Sequence, residues 1–203
     1  MHIYVLIDQS GSMASRWVET IGAVNAYAKG LMQDAPEGLT FNIAAFDSVE
    51  DFRFVELRRG VRPEAWTDIH DGETSPGGMT PLFDAIGRIS TWVHEDTPAK
   101  AAIAIITDGA ENNSREITRH GAKAMLDRMR GKGFDVVFLG ADFDAFQEAA
   151  AVGTAMGQTL NMSEGNYFAA ASALSKRTMA YSFSDDNSAE FSEADRKAAI
   201  GKK

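Results

Sequence analysis

The chain has 203 residues, 44% of them hydrophobic, enough for one globular domain with a sizeable core. Its 29 acidic against 20 basic residues give a formal charge of −9, which argues against a nucleic-acid partner, and its lack of cysteine excludes a disulfide framework and thiolate metal sites and suits a reducing cytoplasm. No apolar run approaches the roughly 18–20 residues of a membrane span and no leader-like basic segment precedes the first apolar run, so a cytoplasmic protein without a membrane partner is expected.

Ile3-Tyr4-Val5-Leu6-Ile7 is a continuous apolar run that predicts a buried strand ending in Asp8. Asp8-Gln9-Ser10-Gly11-Ser12 then turns through glycine, carrying one carboxylate and two hydroxyls to a sheet edge. Val18, Ile21, Val24, Ala28, Leu31 and Met32 recur at helical spacing and predict an amphipathic helix over 13–33, ended by Pro36-Glu37-Gly38. Residues 40–46 read as a strand, and Phe52, Phe54, Val55 and Leu57 as an antiparallel edge strand joined to it as a hairpin.

Residues 58–79 are the least regular, with a short helical turn expected at 63–66 and Gly77-Gly78 expected to let the backbone approach a bound group closely. Thr80-Pro81 reads as a helix start, with Thr80 as cap and Pro81 at the first helical position, the helix running through Leu82, Ile86, Ile89 and Val93. Residues 101–107 predict a central parallel strand that ends at Asp108. Asn113-Ser114 introduce the next predicted helix, marked by Ile117, Gly121, Met125 and Met129. A strand at 134–140, a short helix within 141–153, a last strand at 158–162 and a helix at 164–181 with Phe168, Ala171 and Leu174 on one face complete the pattern. The expected domain is 1–181, and 182–203 reads as a loosely attached polar tail with a short helix capped at 192–195.

Strands alternating with helices imply right-handed crossovers and a Rossmann-like, doubly wound α/β sheet, mostly parallel with one antiparallel edge strand and helices on both faces. Ligands collect at the carboxyl ends of the strands in such sheets, where Asp8 and Asp108 both fall. Two carboxylates with nearby hydroxyls are hard oxygen donors, suited to Mg²⁺ or Mn²⁺ rather than zinc. Taken singly, the same aspartates also read as loop carboxylates facing helix N-termini, and Thr80 as an ordinary cap.

The order D-x-S-x-S, then a distant threonine, then a distant strand-ending aspartate resembles the von Willebrand factor type A (VWA) family, with the likeness strongest over 1–140. The resemblance implies a metal-ion-dependent adhesion site in which Ser10, Ser12 and Thr80 coordinate directly and Asp8 and Asp108 act directly or through water. It further implies Mg²⁺ or Mn²⁺ as the ion and a protein partner presenting a Glu or Asp to it. The likeness is to compact intracellular VWA proteins of bacterial or phage type, and analogy with these points to AAA+ ATPases or stress and defence cluster components as partners. Gly78, Met79 and Asp142 are the expected rim, although Asp142 reads more readily as a cap of the following helix.

Enzymatic readings are poorer. A strand-ending Asp8 also resembles the nucleophile of haloacid-dehalogenase-type phosphohydrolases, but the general acid expected two residues on is Ser10. No G-x-S-x-G elbow or glycine-rich phosphate loop is present, and His2, His70, His94 and His120 lie in no catalytic motif. No catalytic residue is assigned, and a purely structural ion is the third reading.

Overall fold

The computed structural model describes residues 1–140, 143–184, 186–187 and 189–201. In chain order the elements are β1 (His2–Asp8), α1 (Trp17–Met32), β2 (Thr40–Ser48), β3 (Phe52–Val61), α2 (Leu82–Asp96), β4 (Ala101–Thr107), α3 (Arg119–Gly131), β5 (Asp135–Gly140), α4 (Phe143–Ala151), β6 (Thr159–Asn161), α5 (Tyr167–Ser182) and α6 (Glu193–Ala199). The six strands order β3-β2-β1-β4-β5-β6, with β3 antiparallel to β2 and every other pair parallel. This is the doubly wound sheet expected from the alternation of strands and helices.

The chain runs outward from β1 to β2 and β3, then crosses to β4 on the other side of β1. The order therefore reverses between β1 and β4, and the crevice beyond their carboxyl ends is where a doubly wound sheet accepts ligands. Strand periodicity splits the core. Ile3, Val5 and Ile7 pack under α1 and α5, while Tyr4 and Leu6 pack with Ile103 and Ile105 under α2 and α3. By the same alternation Asp8 and Thr107 share the α2 face.

Several predicted details differ. The segment after Asp8 is a short 3-10 turn, Gly11–Ser15, and α1 starts only at Trp17. Its buried stripe is Trp17, Thr20, Ile21, Val24, Tyr27, Ala28 and Leu31; Val18 is 68% exposed. Ile21, Val24, Ala28 and Leu31 face the core as predicted, and only at the first turn does Trp17 take the inward place expected of Val18. On α5, Phe168 is likewise exposed, and Ala170, Ala171, Ala173 and Leu174 face the core. α3 begins after Thr118, whose side chain accepts from Gly121 N–H, so Asn113-Ser114 do not start it.

Beyond α5, several described residues pack on the rest of the chain. Ser192 and Asp195 form the expected capping box, Phe191 and Ala199 are buried against the α1–α5 layer, and the Arg196 guanidinium donates to the carbonyls of Thr159 and Met156. A short polar sequence hid two apolar anchors. Among the described residues no helix is long and apolar enough to cross a membrane.

Candidate metal centre

The end of β1 and the end of β4 bring Asp8 and Asp108 to the same edge. Asp8 is fully buried: its Oδ1 accepts from Ser10 N–H at 2.8 Å and its Oδ2 from the Thr107 hydroxyl at 2.7 Å. The Ser10 and Ser12 hydroxyl oxygens lie 3.1 Å apart, and Ser12 Oγ donates to Asp108 Oδ1 at 2.7 Å. Asp8, Ser10, Ser12 and Asp108 thus form one hydrogen-bonded chain. Ser10 and Asp108 are buried, whereas Ser12 is exposed, so the cluster opens to solvent on its Ser12 side.

Thr80 is placed by a different device from the one expected. Pro81, not Thr80, is the cap residue of α2, and the first free N–H groups of that helix are met from the loop after β4: Phe83 N–H donates to Ser114 Oγ and to Glu111 Oε2, each at 3.0 Å, and Asp84 N–H to Ser114 Oγ at 3.1 Å. Asn112 clamps the Thr80 backbone, accepting from its N–H at 2.8 Å through Oδ1 and donating to its carbonyl at 3.1 Å through the backbone. Thr80 itself is buried, and its side chain is not the cap of α2. A Cβ built on Gly109 would lie 3.8 Å from Thr80 Oγ1, which places that oxygen beside the turn following Asp108.

The loop before Thr80 is stitched into the end of the sheet. Gly77 N–H donates to the Gln9 carbonyl at 2.8 Å, Gly11 N–H to the Gly78 carbonyl at 3.1 Å, and Ser48 and Met79 exchange N–H···O bonds of 3.1 and 2.8 Å. Gly78, at φ +63°, is the position that needs glycine, and the close approach it permits is to the β2 backbone rather than to a bound group. Gly78 and Met79 are both exposed beside the cluster, Met79 at 47%, whereas Asp142 lies outside the described residues. Asp84 is buried and accepts from the backbone N–H groups of Arg115, Glu116 and Ile117, a structural role. Asp47 pairs with Arg53 and takes no part in the cluster.

Electrostatically the site carries more negative than positive charge: two aspartates against one arginine. Burial pushes the Asp8 carboxyl up to about 6, working against hydrogen bonds from Thr107 and Ser10, and the neighbouring Asp108 charge adds to the rise. One cation is already present: Arg16 Nη1 donates to Asp108 Oδ2 at 2.7 Å, with Asp108 almost wholly buried and Arg16 about a quarter exposed. Sequence reasoning missed Arg16, Thr107 and Asn112. Thr107 was within reach of it, since strand alternation sets Thr107 on the same face as Asp8; the other two act through loops whose paths periodicity does not encode.

The donor set fits a divalent cation. Adjacent oxygens around an octahedral ion bound at about 2.0–2.1 Å are separated by about 2.9 Å, close to the Ser10–Ser12 spacing. Ser12 directs its proton to Asp108 and Thr107 its proton to Asp8, leaving the oxygen of Ser12 with lone pairs for an ion. Among the described residues no three His, Asp or Glu side chains converge, so an ion here would depend on the hydroxyls.

No family model and no curated protein matches the sequence. Solved structures do match. The vWF domain of the type V pili tip protein Mfa5 from Porphyromonas gingivalis superposes with a TM-score of 0.70 at 12% identity, over 90% of this chain and 96% of that one. The chain has the von Willebrand factor type A fold. Manganese-loaded TRAP protein of Plasmodium vivax aligns at TM-score 0.60 and 16% identity, over 86% of this chain and 71% of that one. Proximal thread matrix protein 1 from the mussel byssus, with zinc occupying its MIDAS motif, aligns at TM-score 0.57 and 15% identity, over 79% of this chain and 40% of that one. Structures similar to this chain thus include a manganese-loaded protein and one with zinc in its MIDAS motif.

Proposed function

We propose that this chain is a non-enzymatic binding module that captures a carboxylate of a partner protein through a divalent ion, Mg²⁺ or Mn²⁺, held by Asp8, Ser10, Ser12, Thr80 and Asp108. The observation that carries this reading is the hydrogen-bonded convergence of Asp8, Ser10, Ser12 and Asp108 at the sheet's switch point, with Ser12 open to solvent. The ion, when bound, supplies a Lewis-acidic position that a Glu or Asp oxygen completes. The chain's own residues do the rest. Thr107 and the Ser10 N–H fix the Asp8 carboxylate, Asn112 fixes Thr80, and the exposed Met79 with Gly78 offers a rim to a partner surface.

Fold likeness to a pilus tip protein and a byssal thread matrix protein supports a binding role over a catalytic one. The phosphohydrolase reading draws no support from the site, because the hydroxyl two residues after Asp8 is bonded to Ser12 and offers no general acid. The cysteine-free composition supports a cytoplasmic setting, and an AAA+ ATPase or a stress or defence component is the partner class suggested by the family resemblance.

The test is affinity capture from host lysate with wild-type and Ser12→Ala baits, each shown to be folded by circular dichroism, in Mg²⁺ and in EDTA. Ser12 is exposed, so its removal leaves the core intact. A partner held in Mg²⁺ and released at least about tenfold by EDTA and by the variant is expected. Retention of every partner by the folded variant would overturn the binding role of the ion, and loss of thermal stability in EDTA without loss of any partner would make the ion structural.

A further inference from the structure

Arg16 is a cation on a carboxylate that the proposed ion also needs. Its guanidinium reaches Asp108 Oδ2, while Ser12 holds Oδ1. Resting on the metal-binding reading above, we infer that Arg16 competes with the divalent ion for Asp108 and lowers the ion's affinity, offsetting one of the site's two negative charges until an ion displaces the arginine.

Three features make Arg16 a competitor rather than the residue that positions Asp108. First, Asp108 is held without it: Ser12 fixes the other carboxylate oxygen, and Gly109 N–H donates to the Thr107 hydroxyl across the same turn at 3.2 Å. Second, the Arg16 backbone is anchored independently of its side chain. Its N–H donates to the Met13 carbonyl at 2.9 Å, and its carbonyl accepts from the N–H and hydroxyl of Thr20 at 2.8 and 2.9 Å. Exchanging its head group for another therefore leaves these backbone bonds at the entry to α1 in place. Third, Arg16 is a quarter exposed, so a displaced guanidinium is rehydrated rather than stranded in the core.

The charges give the sign. Asp8 and Asp108 together carry −2, and Arg16 returns +1. A divalent ion entering this cluster meets a repulsive unit charge already seated on one of its ligands, and the like-charge repulsion is strongest where the groups are withdrawn from water. Removing Arg16 therefore strengthens ion binding, whereas a residue that positioned Asp108 would weaken it when removed.

Isothermal titration of Mn²⁺ into the chelator-stripped full chain tests this, with wild type, Arg16→Gln, Arg16→Met and Arg16→Lys compared at low salt and at about 0.5 M salt, where charges are screened over a few ångströms. Thermal melts in EDTA check that all four are folded; Gln and Met replace the charge with different shapes, so a misfolded one leaves the other to decide. The expected result is binding on the order of tenfold tighter in the uncharged variants, near wild type in Arg16→Lys, with the gap narrowing at high salt. Binding by wild type that is equal or tighter than in the uncharged variants would overturn the inference while leaving the metal site standing. Uptake by no variant and not by wild type would overturn both this inference and the metal site itself.

Discussion

Replacing Arg177 by alanine is expected to cost about 3–5 kcal/mol, the range for stranding one member of a buried ion pair, and to lower the melting temperature by roughly 10 °C in a domain of this size. Arg177 on α5 meets Asp135 at the start of β5 through two bonds, Nε to Oδ2 at 3.1 Å and Nη2 to Oδ1 at 2.6 Å, with both side chains almost fully buried. It also donates to the Ala189 carbonyl and lies over the Phe191 ring at 5.1 Å, so the same residue ties the C-terminal segment to the sheet. Burial pushes the Asp135 carboxyl above the usual range, and Arg177 offsets only part of that rise.

The pH dependence follows with a definite sign. Without Arg177 the carboxyl rises further, and a group whose folded pKa is raised takes up a proton in the native state before it does in the unfolded chain. Stability then falls as pH climbs from the unfolded carboxylate value, about 4, through the folded one. The cost of Arg177→Ala is therefore smaller at pH 5 than at pH 8. Chemical denaturation at both pH values measures it, and limited proteolysis reports whether the chain beyond α5 comes loose. Arg177→Met combined with Asp135→Leu is expected to recover most of the loss, because replacing both charges by apolar groups of similar size leaves nothing unpaired. An equal cost at the two pH values would place the damage in lost packing instead of the stranded charge.

Gly78→Ala is expected to destabilise by about 2–4 kcal/mol, combining an unfavourable backbone conformation with a backbone clash. At φ +63° a Cβ would fall 2.0 Å from the Ser48 carbonyl oxygen, 2.4 Å from its carbon and 2.7 Å from Val49 N, all backbone atoms at the end of β2 that no rotamer change can move. Relief requires breaking the paired Ser48–Met79 bonds, and Met79 immediately precedes Thr80. The variant should therefore lose ion affinity as well as stability. Gly77→Ala is the control: its Cβ would meet only Val49 Cγ2, at an acceptable 3.4 Å, and a change within about 0.5 kcal/mol is expected. Urea melts of the two variants side by side decide it; equal costs would mean that the loop yields at Gly78.

The contrast between these two glycines shows where sequence reasoning stopped. Adjacent in sequence and chemically identical, they differ only in what the folded chain brings against them, and β2 is some thirty residues away. Strands were legible because their burial is written as apolar runs: β1 and β4 could hardly be read otherwise, and with them came the positions of Asp8 and Asp108. α1 was legible as a helix and in phase from Ile21 to Leu31, but not at its first turn, since Trp17 and Val18 are both apolar and only packing decides which one turns inward. Thr80-Pro81 carried a good local capping signal, overridden by Ser114 and Glu111 arriving from the loop after β4. Arg16 was silent because nothing in its own neighbourhood announces a partner 92 positions away.

The most direct measurement is an equilibrium titration of Mn²⁺ into the chelator-stripped protein, followed by electron paramagnetic resonance of the free ion, for wild type and Asp8→Ala. One saturable site in wild type, lost in a folded Asp8→Ala variant, is the predicted result. No saturable binding in wild type, or equal binding in the variant, would contradict a divalent-ion site built on Asp8, Ser10, Ser12, Thr80 and Asp108.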